Sequence, residues 1–280
     1  MKIVVTTDST SDLSIEEQKK HGIFVIPLIV NLDEEEYYDG INLTIEEIFA
    51  FVEKTGVLPK TAARSAQNYV EFFKEIKEKT NADKIIHISL SAELSCSHFN
   101  AKTASEELDF VEVINSKSLS SGCGVLALSV SDKVKENKSF EQILKEINEE
   151  VEKIQASFII SNLKYLHKGG RCSAITAFGA NVLQIKPKIA LKNGKMDVEK
   201  KYIGKMEQAV LKYVDELLKE NNPNLKRAFV TYTTLNEALN EKIIKKLKEK
   251  GFEEVITNFA GATIASHCGK NTLGVLFINK

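Results

Sequence analysis

The stretch Lys84 to Ala104, KIIHISLSAELSCSHFNAKTA, decides how the rest of the chain is read. Lys84-Ile85-Ile86-His87-Ile88 is a short apolar run rich in β-branched residues, which predicts a buried strand. Ser89 to Ser97 is a loop of small hydroxyl residues, and a helix then runs through Asn100 and Ala104. A strand passing through a short loop into a helix is half of a βαβ unit, so the stretch predicts an α/β fold. In open α/β sheets ligands bind beyond the carboxyl ends of the strands. Hydroxyls beside a helix N-terminus suit an anionic group there, because free N–H groups and the helix dipole favour negative charge. The same residues also read as an ordinary capped turn.

Two more strands end in the same way. Ile3-Val4-Val5 runs into Thr6-Thr7-Asp8-Ser9-Thr10-Ser11-Asp12, and Phe110 to Ile114 runs into Asn115-Ser116. In a parallel sheet all three hydroxyl loops fall on one edge. Between the first two lie a short helix from Ile15 to Lys20 and a strand from Phe24 to Val30, with Pro27 at an edge or bend. Thr44-Ile45-Glu46-Glu47 is a capping box opening a helix to about Lys54. Leu58 to Ser65 reads as a loop. Ala66 to Lys79 reads as a helix whose apolar face is Tyr69, Phe72, Phe73 and Ile76. One helix carries Val125, Leu126, Leu128 and Val130, and another spans Ser139 to Lys153. Residues 1–155 are therefore expected to form an N-terminal domain with a mostly parallel sheet flanked by helices.

The remainder, 156–280, reads as a C-terminal α+β domain with a mixed sheet. Asn193-Gly194 between Ile185–Leu191 and Met196-Asp197-Val198 is a strong hairpin signal. Strands are expected at Ser157 to Ile160, Arg227 to Tyr232, Glu254 to Ile256 and Leu273 to Ile278. Helices are expected at Ser173 to Leu183, Lys205 to Glu220 and Leu235 to Lys248. Leu163 to Arg171 and Gly261 to Gly269 read as loops or turns.

A chain of 280 residues accommodates two domains, and its 43% hydrophobic and 28% charged residues are ordinary for a globular protein. The net charge of −1 gives no electrostatic case for nucleic acid or for an anionic membrane surface. Cys96, Cys123, Cys172 and Cys268 form no CxxC pair and read as reduced thiols. No signal peptide is visible and no apolar run approaches a membrane span. A cytoplasmic protein is expected.

Asp8 to Asp12 lacks the remaining ligands of a calcium loop and reads as structural capping. Ser95 and His267 invite a hydrolase reading, but Ser95 has Glu93 and Ser97 two residues to either side and forms no G-x-S-x-G elbow. His21, His87, His98 and His167 match no metal spacing. Gly169-Gly170-Arg171 is not a P-loop. The glycine pair permits a sharp turn, and Arg171 offers a fixed fork for a carboxylate or phosphate or serves as a surface cap.

Several of these pieces occur together and in order: Asp8-Ser9 with Asp12; Pro59-x-Thr61-x-x-x-Ser65; Ile88-Ser89-x-x-x-x-Leu94-Ser95; Leu163-x-Tyr165-Leu166-x-Lys168-Gly169-Gly170-Arg171; Ile185-Lys186-Pro187 with Asn193-Gly194; and Ser266-His267-x-Gly269. In this the chain resembles, nearly end to end, the DegV family of bacterial fatty-acid-binding proteins. The Lys-Gly-Gly-Arg block is the most specific part. The resemblance implies a two-domain α/β protein holding one long-chain fatty acid between its domains. It implies that Thr61 and Ser95 hold the carboxylate with His267 nearby. It implies that Arg171, with Gly170, Ser65 and Cys96, belongs to the head-group region and to contact with a partner. That partner is a separate fatty acid kinase, which phosphorylates the bound carboxylate with ATP to give an acyl phosphate for phospholipid synthesis. The chain itself would be a carrier, not an enzyme, with no cofactor beyond the bound acid and with at most transient membrane contact.

The chain departs from the family's usual pattern at Ala62 and Arg64 in the threonine loop, at Cys96 and Ser97 after Ser95, and at Cys268 and Lys270 around His267. Cys96 is expected to add bulk beside the head group. Two other readings stay open. One is an enzyme acting on an acyl or small hydroxylated substrate through Ser95 and His267, the latter as in dihydroxyacetone-kinase substrate domains. The other is an adaptor without a ligand.

Overall fold

The computed structural model describes residues 1–172 and 185–280; the helix expected from Ser173 to Leu183 lies outside them. The N-terminal part runs β1 (Ile3–Asp8), α1 (Ile15–His21), β2 (Ile23–Ile26), β3 (Ile29–Leu32), β4 (Glu35–Tyr38), α2 (Ile45–Thr55), β5 (Lys60–Ala62), α3 (Ala66–Thr80), β6 (Lys84–Ser89), α4 (Ser97–Glu106), β7 (Val111–Asn115), α5 (Ser121–Lys135) and α6 (Phe140–Val151). Strands β2-β1-β6-β7, in that order, form a wholly parallel sheet. The chain leaves β1 to one side for β2 and returns on the other side as β6. The gap between β1 and β6 is thus the topological switch point, where open α/β sheets bind ligands.

Phe24 to Val30, expected as one strand, is two. Proline at 27 cannot donate a ladder hydrogen bond, and the chain breaks there between β2 and β3. Strand β3 leaves the parallel sheet and pairs antiparallel with β4 and β5 in a small separate sheet. The segment from Leu58 to Ser65, expected as a loop, contains β5. The capping box at Thr44 and Glu47 is present as expected.

The second part runs β8 (Ile154–Ile159), α7 (Lys164–Gly169), β9 (Ile185–Lys192), β10 (Lys195–Ile203), α8 (Met206–Glu220), β11 (Pro223–Tyr232), α9 (Glu237–Lys250), β12 (Glu254–Phe259), α10 (Ala262–Cys268) and β13 (Leu273–Asn279). Its six-stranded sheet has the order β10-β9-β8-β13-β11-β12. It is mixed: β11 and β12 run parallel and the other pairs are antiparallel. The β9–β10 hairpin turns at Asn193 and Gly194, both at positive φ (52° and 82°), the backbone that selects this dipeptide. Two segments expected as loops or turns, 163–171 and 261–269, carry the short helices α7 and α10. Strand β8 begins at Ile154, two residues before the expected domain division.

The two large sheets share a layer. One face of the parallel sheet packs on α3 and α4 through Val4, Ile85, Tyr69 and Phe73. Its other face, with Val5, Ile86 and Ile88, packs on α5, and the opposite side of α5 meets Ala156, Phe229 and Leu276 of the mixed sheet. Helix α5 is buried along most of its length and has no polar face, as its central position requires. The far side of the mixed sheet is covered by α8 and α9 through Tyr213, Leu217 and Ile243.

Candidate functional site

The loop after β6 forms one wall of a cavity at the switch point. Asp8, at the end of β1, is fully buried. Its Oδ2 accepts the Leu90 N–H at 2.8 Å and its Oδ1 accepts the Tyr69 hydroxyl at 2.5 Å. The loop is also tied to the β9–β10 hairpin, where Ser91 Oγ donates to the Gly194 carbonyl at 2.8 Å. Ser95 is half-buried. Its Oγ accepts the Ser97 N–H at 3.2 Å and lies 3.0 Å from Ser97 Oγ. The Ser95 hydroxyl proton is thereby left for a neighbour or a ligand.

The opposite wall is α10. Its first N–H groups are held by aspartates from the other half of the chain. Asp12 Oδ1 accepts from Gly261 N–H at 2.8 Å, and Asp39 Oδ1 accepts from Ala262 N–H at 2.7 Å. Their second oxygens accept the hydroxyls of Ser120 at 2.5 Å and Ser9 at 2.9 Å. Burial pushes the Asp12 carboxyl well above the usual carboxylate range, against the pull of its hydrogen bonds. From the sequence Asp8 to Asp12 read as caps of their own turn; Asp8 makes no such cap bond, and Asp12 holds the start of a helix far along the chain instead.

His267 projects from α10, and its Nε2 lies 2.7 Å from Thr61 Oγ1 of β5. Burial first, then the Arg171 guanidinium, lower its pKa to about 4, so the ring is neutral at pH 7. Its Nδ1 has no hydrogen-bond partner among the described residues. The ring packs directly over Gly169, where a Cβ would stand 2.5 Å from Nδ1. Arg171 ties the end of α7 to the serine loop: Nη1 donates to the Gly169 carbonyl at 2.6 Å and Nε to the Leu94 carbonyl at 3.4 Å.

Thr61, Ser95, Arg171 and His267 all line one cavity. A second chamber shares Leu119, Ile264 and Cys268 with it and reaches Phe158, Tyr232 and Leu276, with Ser120, Thr231, Thr233 and Thr272 also in its wall. The structure therefore brings together four of the residues singled out in the sequence. It leaves Ser65, Gly170 and Cys96 outside the cavity lining. Ser65 is the exposed cap of α3, paired with Asn68, and Gly170 is the exposed C-cap of α7 at φ 68°. Cys96 is exposed and absent from the cavity lining, which corrects the expectation that it adds bulk beside a head group. Arg64 stacks over the Tyr38 ring, and Lys270 pairs with Glu53. Cys268 lies between the two chambers, and burial pushes its thiol up to about 12.

No hydrogen bond joins Ser95 to His267; each has another partner. Sequence reasoning missed Thr10, Met196 and Thr263, all in the cavity wall. A signal for Thr263 was present: it stands four residues before His267, hence on the same face of a helix. Among the described residues no cluster of His, Cys, Asp or Glu could hold a metal ion, and no helix is long and apolar enough to cross a membrane.

The model of the family described as uncharacterised protein, DegV family, matches residues 2–280. The chain belongs to the DegV family. A DegV domain-containing protein of Clostridium acetobutylicum is 31% identical over 285 residues, covering 100% of this chain and 99% of that one. Among solved DegV structures, one from Thermus thermophilus described by its fatty acid binding aligns with a TM-score of 0.89 at 29% identity, covering 100% of both chains. The DegV of Bacillus subtilis, described as a fatty acid binding protein, aligns with a TM-score of 0.85 at 28% identity, also over 100% of both chains.

Proposed function

We propose that this DegV protein binds one long-chain fatty acid between its parallel-sheet and mixed-sheet halves and presents the carboxylate to a separate ATP-dependent kinase. The observation that carries the reading is the paired Thr61 and His267, in one cavity with Ser95 and Arg171 that adjoins a second chamber through Leu119, Ile264 and Cys268. The fatty acid binding of the Thermus and Bacillus relatives supports it. A carboxylate leaving water needs donors. If His267 donates from Nε2 to Thr61 Oγ1, the Thr61 hydroxyl proton is free for the acid. Ser95 supplies a second hydroxyl and Arg171 a guanidinium. The alkyl chain gains about 0.8 kcal/mol per buried methylene. Arg171 then borders the head-group end, where the kinase would transfer the terminal phosphate of ATP to a carboxylate oxygen, leaving ADP and an acyl phosphate, while Ser65 and Gly170 lie on the exposed surface open to such a partner. Such a carrier works in the cytoplasm, where the nucleotide is.

Denatured, extracted protein is expected to release about one fatty acid per chain, as a single enclosed pocket requires. Protein that yields none and takes up none when supplied would overturn the reading. The double variant T61V/S95A is expected to bind roughly a hundredfold to ten-thousandfold more weakly, because each of the two hydrogen bonds to a charged group contributes about 1.5–3 kcal/mol. Incubation with the kinase, ATP and hydroxylamine is expected to trap an acyl hydroxamate only when the carrier is present.

A further inference from the structure

Two hydroxyls in the cavity wall have no function in the arrangement described so far. Thr10, just beyond β1, is fully buried, and Thr263, on α10, is 5% exposed. Both line the main cavity. The Oγ1 atoms of both lack a hydrogen-bond partner among the described residues. A buried hydroxyl without a partner costs about 1–3 kcal/mol, and folded proteins rarely leave one so.

Their neighbours explain why no protein group reaches them. Asp12 and Asp39, the nearby acceptors, are already engaged by Ser120, Ser9 and the first N–H groups of α10. Further along α10, Ser266 satisfies its hydroxyl by donating back to the Ala262 carbonyl at 2.7 Å. Thr263 has no such recourse, because the residue four positions before it, Phe259, belongs to β12 and not to the helix. Leu28, Leu90 and Ile264 complete this part of the wall and offer only apolar surface. Valine at either position would fill nearly the same shape without an orphaned hydroxyl.

We infer that Thr10 and Thr263 form a second polar subsite that receives an oxygen carried on the acyl chain, so that the preferred ligand is a hydroxylated fatty acid. This rests on the proposed placement of the carboxylate at Thr61, Ser95 and His267. Thr263 lies one helical turn from His267 on the same face, a Cβ separation of about 5–6 Å. The chain oxygen therefore belongs within the first few carbons of the carboxylate, and a 3-hydroxy acid is the simplest ligand that meets it. A ligand hydroxyl accepts from one threonine and donates to the other, which satisfies both. An unsubstituted alkyl chain satisfies neither.

The test compares hexadecanoate, 3-hydroxyhexadecanoate and 16-hydroxyhexadecanoate as competitors of a fluorescent fatty acid on the delipidated full chain. The 3-hydroxy acid is expected to bind about three- to tenfold more tightly than hexadecanoate, the span of one or two neutral hydrogen bonds, and the 16-hydroxy acid is expected to gain nothing. In T263V and T10V the preference is expected to shrink toward unity. Equal affinities for hexadecanoate and its 3-hydroxy form overturn the subsite and leave the proposed function standing; ordered water alone in the subsite gives this result. Failure of all three acids to bind overturns the proposed function and the subsite with it. A preference that persists undiminished in both valine variants overturns the assignment to these residues. The comparison of the acids on the unaltered chain requires no variant to fold.

Discussion

The serine wall and the histidine wall of the cavity are both anchored by buried aspartates, yet they end in opposite states of hydrogen bonding. On the serine wall Asp8 takes Leu90 N–H and the Tyr69 hydroxyl, and Ser95 finds Ser97. On the histidine wall Asp12 and Asp39 hold the start of α10, but Thr10 Oγ1, Thr263 Oγ1 and His267 Nδ1 are left without partners among the described residues. The first wall is largely satisfied within the protein and keeps only the Ser95 hydroxyl proton to offer. The second carries several unsatisfied atoms among the described residues. The two faces of one cavity thus differ in how much hydrogen bonding they leave open.

The most damaging way to break this contrast is at Asp8. Asp8→Ala leaves two buried donors unpartnered and is expected to cost about 2–6 kcal/mol of stability. Denaturant unfolding measures it, and a loss below about 1 kcal/mol would mean the serine wall is held by something else. Next comes acid. The unfolded His267 titrates near 6.5 and the folded ring near 4. Between these values the unfolded chain binds the proton that the folded chain refuses. Stability therefore falls as pH drops from 6.5 to 4, by about 3 kcal/mol at 1.36 kcal/mol per pH unit. His267→Gln is expected to flatten the wild-type curve in that window; parallel curves would count against a buried neutral ring. A smaller effect is expected from Gly169→Ala, whose methyl group would press on His267 Nδ1. Overpacking of this kind costs about 1–3 kcal/mol, and the displaced ring should be visible as a shifted histidine NMR signal. The smallest sharpens the contrast from outside it. Ser139 caps α6 with Gln142, far from either wall. Ser139→Ala is expected to cost about 1 kcal/mol with unchanged fatty acid affinity.

What the sequence made legible follows from how local each signal is. Ile3 to Val5, Lys84 to Ile88 and Phe110 to Ile114 are short apolar runs ending in hydroxyls, and they do form parallel strands with those loops at one edge. Asn193-Gly194 specifies its own turn. The small sheet was illegible because β5 has three residues and no apolar pattern, and because the break at Pro27 redirects β3 to partners unrelated by periodicity. Helix α10 has seven residues, too few to establish a 3.6-residue period, so His267 read as a turn residue and Thr263 was passed over. Thr61 and His267 stand 206 positions apart, and nothing in either segment announces that they bond to each other rather than to Ser95.

Helix α5 carries a consequence for traffic through the cavity. Because both large sheets bury side chains against the same helix, separating them would tear a continuous core. A jaw-like opening is therefore closed to this molecule as a route of exchange. The two short elements at the rim differ: α10 is pinned by Asp12, Asp39 and the Thr61–His267 contact, which leaves α7 as the shorter and more exposed cover and the place for local opening. Under the proposed function the off-rate of the acid is then governed by local opening at α7, and it can change without altering the global unfolding free energy.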